Sequence, residues 1–234
     1  MRPIVILKTG TTLPRLARER GDYEDWIAAG LGASVDVRDL PRGDALPPPQ
    51  APRAVVITGS SAMVTDRLDW SERAAAWLPE VLRHGTPVLG ICYGHQLLAH
   101  ALGGKVGANP RGREIGTVEV ELTDEGRRDA LLGGPRTTLV VSASHRQSVL
   151  RLPDGARHLA ANALDPNQAF AIGERAWGVQ FHPEWDHDVM RAYLEDRADV
   201  LRAEGLDPDA LLARVRPSGD GPAILRRFAE IALG

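Results

Sequence analysis

The chain carries one cysteine, Cys92, within the run Gly90-Ile91-Cys92-Tyr93-Gly94-His95-Gln96. This run joins an apolar stretch, Pro87 to Ile91, to a helix-like stretch closed by Gly103-Gly104. Glycines on both sides let the chain turn sharply and pack closely around the thiol. A helix N-terminus favours negative charge, and therefore the thiolate, the form of cysteine that attacks electrophiles. The plainer alternative is a buried cysteine acting as a small hydrophobe in an ordinary strand-to-helix turn.

A thiolate nucleophile needs a proton shuttle and a group that orients the shuttle. His182 follows the apolar run Trp177 to Phe181, Pro183 fixes the turn after it, and Glu184 stands two residues on. His-Pro-Glu can set a carboxylate against the imidazole. His95 is near Cys92 but tied to the same helix. His84, His100 and His158 read as structural. A metal set of His182, Glu184, Asp186 and His187 matches no familiar ligand spacing and leaves Cys92 unexplained.

These residues need elements to position them. Ile4 to Leu7, Ala54 to Ile57 and Pro87 to Ile91 are short continuous apolar runs, the pattern of strands buried on both faces. Ser34 to Val37 alternates as a further strand. Helical stretches lie near Asp22 to Leu31 and Asp69 to Arg83, the latter with a kink or break expected at Pro79. Pro41 to Pro52 reads as a loop. The middle of the chain reads as further short strands at Thr117 to Leu122, Thr138 to Val141, His158 to Ala161, Gln168 to Ile172 and Trp177 to Phe181. From Asp186 onward the pattern is helical, with a stop at Gly205 and a loop over Pro217 to Pro222. The alternation predicts an α/β fold, with three layers, a mostly parallel central sheet, helices on both faces and a small antiparallel portion. It is expected to form a single unit over residues 1–234, with a helical C-terminal extension over about 186–234.

Composition narrows the function classes. The 234 residues are 43% hydrophobic and 25% charged, an ordinary globular balance. Basic and acidic residues nearly cancel (28 against 31, net −3), so no whole-protein grip on nucleic acid is expected. A single cysteine excludes an internal disulfide and a cysteine-based zinc cage. No apolar run is long enough for a membrane span or a signal peptide, so the expected compartment is the cytoplasm. Trp185 reads as a pocket wall; Arg111, Arg113 and Glu114 read as a solvated loop, with the mouth of the site as the alternative.

The run GICYGHQLLAHALGG, followed later by GVQFHPE, resembles the class I (triad) glutamine amidotransferases, with its nearest likeness to GMP synthase glutaminase domains and their stand-alone relatives. The resemblance implies a flavodoxin-like fold of that family. It further implies Cys92 as nucleophile, His182 as general acid/base and Glu184 as its orienting carboxylate. The N–H of Tyr93 would be one oxyanion donor. The second would be the N–H of Ser60 in Thr58-Gly59-Ser60-Ser61, where the family reads Ser-Gly-Gly-Pro and only Gly59 is kept. Gln96 and the Ser144-His145 segment match substrate contacts. Gln147 replaces an aspartate often found there. No metal or cofactor is implied. The substrate would be glutamine or another γ-glutamyl compound, and the ammonia would pass to a separate synthetase. Alternatives are a self-sufficient γ-glutamyl conjugate hydrolase, a non-catalytic binding or regulatory module and, for the thiol alone, a redox sensor. A homo-oligomer stands as a further candidate assembly.

Overall fold

The computed structural model describes residues 2–234; Met1, the first residue of the expected unit, lies outside the described residues. The chain begins with β1 (Ile4–Lys8), α1 (Pro14–Arg20), α2 (Tyr23–Leu31), β2 (Val35–Asp39) and β3 (Ala54–Ile57). It continues through α3 (Asp69–Arg83), β4 (Val88–Ile91), α4 (Tyr93–Ala101), β5 (Lys105–Ala108), β6 (Glu114–Leu122) and α5 (Asp124–Arg128). Then come β7 (Thr138–His145), β8 (Gln147–Arg151), β9 (Arg157–Ala161), β10 (Ala169–Ile172) and β11 (Ala176–Val179). Four helices finish it, α6 (His187–Asp196), α7 (Ala198–Ala203), α8 (Pro208–Ala213) and α9 (Asp220–Leu233).

The main sheet has nine strands in the order β2-β1-β3-β4-β11-β10-β9-β6-β7. From β2 to β11 the neighbours run parallel, and from β11 to β7 they run antiparallel. A two-stranded antiparallel sheet, β5-β8, stands apart. The parallel strands are apolar throughout because helices cover both their faces. On one face, Ile4, Ile6, Val56 and Leu89 pack with Ile27 and Leu31 of α2 and Ile224 and Phe228 of α9. On the other, Val5, Leu7, Val55 and Ile57 pack with α3 and α4. This is the three-layer α/β architecture expected. A smaller cluster joins Leu16 of α1, Tyr23, Trp185 and the apolar side of α6. Among the described residues, no helix is long and apolar enough to cross a membrane.

Several local expectations change. Of the kink or break expected at Pro79, the break does not occur, and α3 runs continuously through it. Its buried stripe, which includes Ala74, Trp77, Leu78 and Val81, packs against the sheet, and that burial outweighs the backbone hydrogen bond that proline removes. The expected loop at Pro217 to Pro222 is cut short, because α9 begins at Asp220. The Asp220 carboxylate accepts from Val140 N–H at 2.8 Å, which anchors the new helix on β7, and Pro222 sits in the first turn, where its missing N–H costs little. β7 runs four residues beyond the expected Val141 and carries Ser144 and His145. It lies at the far edge of the sheet, yet Ser142 bridges to His182 just beyond β11. The antiparallel half therefore curls back over the ends of the parallel strands.

Candidate active site

β1, β3, β4 and β11 are adjacent and parallel, so their carboxyl ends open on one edge. Functional groups in such sheets gather there. The residues after these four ends are Thr9, Thr58-Gly59, Cys92 and Gln180-Phe181-His182.

Cys92 sits between β4 and α4 with φ 51° and ψ −98°. A non-glycine residue in that region costs on the order of 1–3 kcal/mol and persists only where the surroundings fix it. The surroundings do so here: Cys92 N–H donates to Val179 O at 2.9 Å, and its carbonyl accepts from Gln96 N–H at 3.1 Å. The flanking glycines are required by packing. A Cβ on Gly90 would lie 2.4 Å from Gly94 O, and one on Gly94 2.5 Å from Ile57 O. Sγ approaches Ser144 O at 3.9 Å. The plain buried-turn reading gives no account of a strained backbone whose thiol borders a cavity.

His182 is buried, and its N–H donates to Ser142 O at 2.8 Å. Its Nδ1 lies 2.7 Å from Glu184 Oε1, and that carboxylate is fully buried. Trp185 stacks on the imidazole with centroids 3.9 Å apart at 18°, and Tyr23 lies beyond at 6.1 Å. Burial works against the imidazolium, but the Glu184 charge, the Cys92 charge and hydrogen bonds to both raise the His182 pKa to about 10. Gly59 separates the two partners: a Cβ there would fall 2.8 Å from His182 Cε1 and 3.7 Å from Cys92 Cβ. Cys92, His182 and Glu184, far apart in the chain, thus converge on one point.

The turn after β3 is held from below. The hydroxyls of Thr9 and Thr58 each lie 3.0 Å from Gly59 O. Ser60 Oγ donates to Thr9 O at 2.7 Å. Because the peptide is trans and planar, the Ser60 N–H points opposite to that anchored carbonyl, and Ser60 itself lines the cavity. Among the described residues it donates to no other group. Tyr93 N–H opens α4 and has no carbonyl one turn earlier to accept it.

The cavity has a volume of about 320 Å³ and takes in Cys92, Gln96, Ser144, His145, His182 and Trp185. Gln96 Nε2 donates to Gln147 O and Gln180 Oε1 at 2.8 and 2.9 Å, which fixes its amide. The His145 ring spans Gln147 O at 3.0 Å and Glu114 Oε2 at 2.9 Å. It therefore braces the turn between β7 and β8. Gln147, the departure from the family aspartate, reaches Thr65 Oγ1 at 2.6 Å.

Some sequence readings need correction. Glu114 is buried and is held by Asn162 at 2.6 Å and Gln168 at 2.5 Å, and Arg113 lines the cavity, so the solvated-loop reading holds only for Arg111, which is exposed in a turn. The residue signals for this were weak, because a charged pair beside glycine reads as exposed. Asp186 caps α6 through Val189 N–H and pairs with Arg20, and His187 faces Asp188, so neither joins His182 and Glu184. His95 is fully buried against the Phe170 ring, at 5.0 Å between centroids, and lies outside the cavity lining. Thr9, Tyr193 and Arg197 were not anticipated. Thr9 is signalled by its place after a buried strand. Tyr193 and Arg197 carry no signal, since they sit on and at the end of an amphipathic helix.

Comparison with known proteins bears on the family. Residues 29–199 match the family described as Glutamine amidotransferase class-I. A GMP synthase [glutamine-hydrolyzing] of Aeropyrum pernix is 40% identical over 175 residues, covering 75% of this chain and 30% of that protein. One from Synechococcus sp. (strain CC9605) is 33% identical over 207 residues, covering 88% of this chain and 36% of that protein. The chain therefore spans about a third of the length of these relatives. The crystal structure of a glutamine amidotransferase from Thermotoga maritima superposes with a TM-score of 0.78 at 26% identity, covering 100% of this chain and 99% of that one. The chain belongs to the class I glutamine amidotransferase family.

Proposed function

We propose that the protein hydrolyses a γ-glutamyl amide, with glutamine as the simplest substrate, through Cys92, His182 and Glu184. The observation that carries this reading is the buried imidazole, hydrogen-bonded to a buried carboxylate and set against Cys92 across Gly59. The Cys92 thiolate adds to the γ-carbonyl carbon. The carbonyl oxygen becomes an oxyanion between the N–H groups of Tyr93 and Ser60, each donor contributing roughly 3 kcal/mol in comparable sites. The adduct then collapses, and the C–N bond breaks as His182 gives its proton to the departing nitrogen. A γ-glutamyl thioester remains on Sγ. Water adds to it while His182 takes the water proton, the thiolate leaves, and glutamate is released. Gln96 and the Ser144-His145 segment hold the glutamyl end. Glu184 keeps the imidazole in its orientation and favours the imidazolium.

The name GMP synthase [glutamine-hydrolyzing] on relatives matched over about a third of their length supports glutamine as the substrate and a synthetase activity as the consumer of its ammonia. A second reading, hydrolysis of a γ-glutamyl conjugate with no partner, is favoured by one observation. Tyr193 and Arg197, from the helical C-terminal part of the chain itself, line the cavity. The test is glutamate release from glutamine and from a panel of γ-glutamyl peptides by the protein alone. Cys92→Ala is expected to abolish release with the fold intact, and normal turnover by that variant would sink the reading.

A further inference from the structure

Three hydroxyls form a chain at the cavity wall. Thr12 Oγ1 lies 2.8 Å from Tyr193 Oη, and Tyr193 Oη lies 2.8 Å from Tyr23 Oη. All three residues line the cavity together with Cys92 and His182. They come from the loop before α1, the start of α2 and the middle of α6. One buried carboxylate fixes two of them: Asp22 Oδ1 accepts from the N–H groups of Thr12 and Tyr23, both at 2.8 Å, and Lys8 Nζ donates to Asp22 Oδ2 at 2.8 Å. The third is held by the Trp185 ring, with centroids 4.1 Å apart. Each hydroxyl brings one proton and two lone pairs. Two links use two of the three protons, so one O–H stays unspent whichever way the chain points, and among the described residues no further group takes it. Tyr23 is the link that borders the reacting groups, its ring 6.1 Å from that of His182. Burial raises its pKa well above the usual phenol value, and the neighbouring Tyr193, Cys92 and Glu184 add to the rise, so it keeps its proton. Three buried hydroxyls that merely satisfy one another would account for the two links, but not for an unspent proton at the wall of this cavity.

The two half-reactions make different demands on such a group. In the first, the departing nitrogen is held by its covalent bond to the substrate. In the second, water is a free molecule, and its oxygen must face the thioester carbon while one O–H faces His182. Fixing that geometry removes much of the entropic barrier. We propose that the Tyr23 hydroxyl, set by the Tyr193–Thr12 chain behind it, positions the water that hydrolyses the γ-glutamyl thioester. This rests on the hydrolase reading above. The water oxygen forms the C–O bond, the C–S bond breaks with its electron pair on Sγ, and His182 takes one water proton. Tyr23 transfers no proton. It donates a hydrogen bond to the water oxygen or accepts one from the second O–H, and either polarity of the chain leaves it free to do so.

The test follows the Cys92 adduct directly. Protein and glutamine are mixed, the reaction is quenched in acid at successive times, and intact mass gives the fraction of γ-glutamyl-Cys92 while glutamate is measured in parallel. The proteins compared are the wild type, Tyr23→Phe and Tyr193→Phe, which keep the rings that pack beside His182 and Trp185. Tyr23→Phe is expected to slow adduct decay about ten-fold, the loss of one hydrogen bond in the transition state, with adduct formation unchanged. The adduct then accumulates, and kcat and KM fall together while kcat/KM holds. Tyr193→Phe, which leaves Tyr23 in place without its support, is expected to slow the same step by less. Unchanged decay in either variant overturns the proposal. Equal slowing of formation and decay also overturns it, because the tyrosine would then serve only to pack the imidazole. If the wild type forms no adduct and releases no glutamate, the hydrolase reading itself fails and this inference falls with it. Wild-type turnover matched step for step by Tyr23→Phe leaves that reading standing and removes the inference alone.

Discussion

His182 and Glu184 are separated by one residue in the chain, yet their side chains meet at 2.7 Å in a fully buried ion pair. Consecutive residues of an extended strand point to opposite faces, so residues two apart share a face. Pro183 then bends the chain and lets the carboxylate swing back against Nδ1. This contact ties the strand-end histidine to its neighbour and leaves the other ring nitrogen for Cys92.

The pair sets the pH behaviour. His182 titrates near 10 instead of 6.5, so its proton is held across the neutral range. The alkaline limb of kcat/KM is expected above pH 8. Glu184→Gln removes the largest raising influence, so the limb moves to lower pH and activity falls about 10²-fold or more. The sign for stability follows the same shift. A raised folded-state pKa stabilises the fold fully below about 6.5 and is lost as pH rises through about 10. Denaturant titrations from pH 6 to 10 should show a flatter decline in Glu184→Gln. An unmoved limb would remove Glu184 from its orienting role.

Gly59→Ala tests whether the thiol and imidazole act together. The added methyl would fall 2.8 Å from His182 Cε1, so the ring must shift. A displacement approaching 1 Å costs about 10²-fold in rate. Circular dichroism should remain unchanged while kcat drops by that order. Wild-type kcat in the variant would mean that the ring is not held where the reaction needs it.

Thr9→Val tests the turn beneath the oxyanion donor. It removes one of the two hydroxyls on Gly59 O and costs about 1 kcal/mol of stability. The expected kinetic effect is a kcat loss of about ten-fold with KM little changed, and recovery in Thr9→Ser, which restores the hydroxyl. Equal kinetics in both variants would show that the Thr58 hydroxyl suffices.

His95 gives a test independent of catalysis. Burial pushes its pKa down to about 3, so it stays neutral when the unfolded chain would take up a proton. Its contribution is complete above pH 6.5 and is lost as pH falls from 6.5 toward 3, with a slope of about 1.4 kcal/mol per pH unit for one proton. His95→Gln should flatten the acid side of the stability curve between pH 6 and 4 by about one proton. An identical slope in both proteins would contradict the burial argument.

The parallel strands were legible because a strand covered on both faces must be apolar throughout, as Ile4 to Leu7, Ala54 to Ile57 and Val88 to Ile91 are. β5 and β8 were not expected, since Lys105–Ala108 and Gln147–Arg151 are half-exposed and show neither continuous nor alternating apolar character. Glu114 was misread for a related reason. A charge is buried only when partners elsewhere in the chain satisfy it, and Asn162, Gln168 and His145 lie far off in sequence.

The sequence by itself determined the α/β class, the cysteine set between two glycines at a strand-to-helix turn and the His-Pro-Glu turn, because each is a local demand of backbone sterics or of strand burial. Only the tertiary structure decided that Thr9 anchors the Gly59–Ser60 peptide and that Glu114 braces His145. It also decided that Arg113, Arg146 and Arg197 face one cavity. Those relationships join strand ends and helices distant in the chain, and they arise when the antiparallel half of the sheet curls back to pair Ser142 with His182.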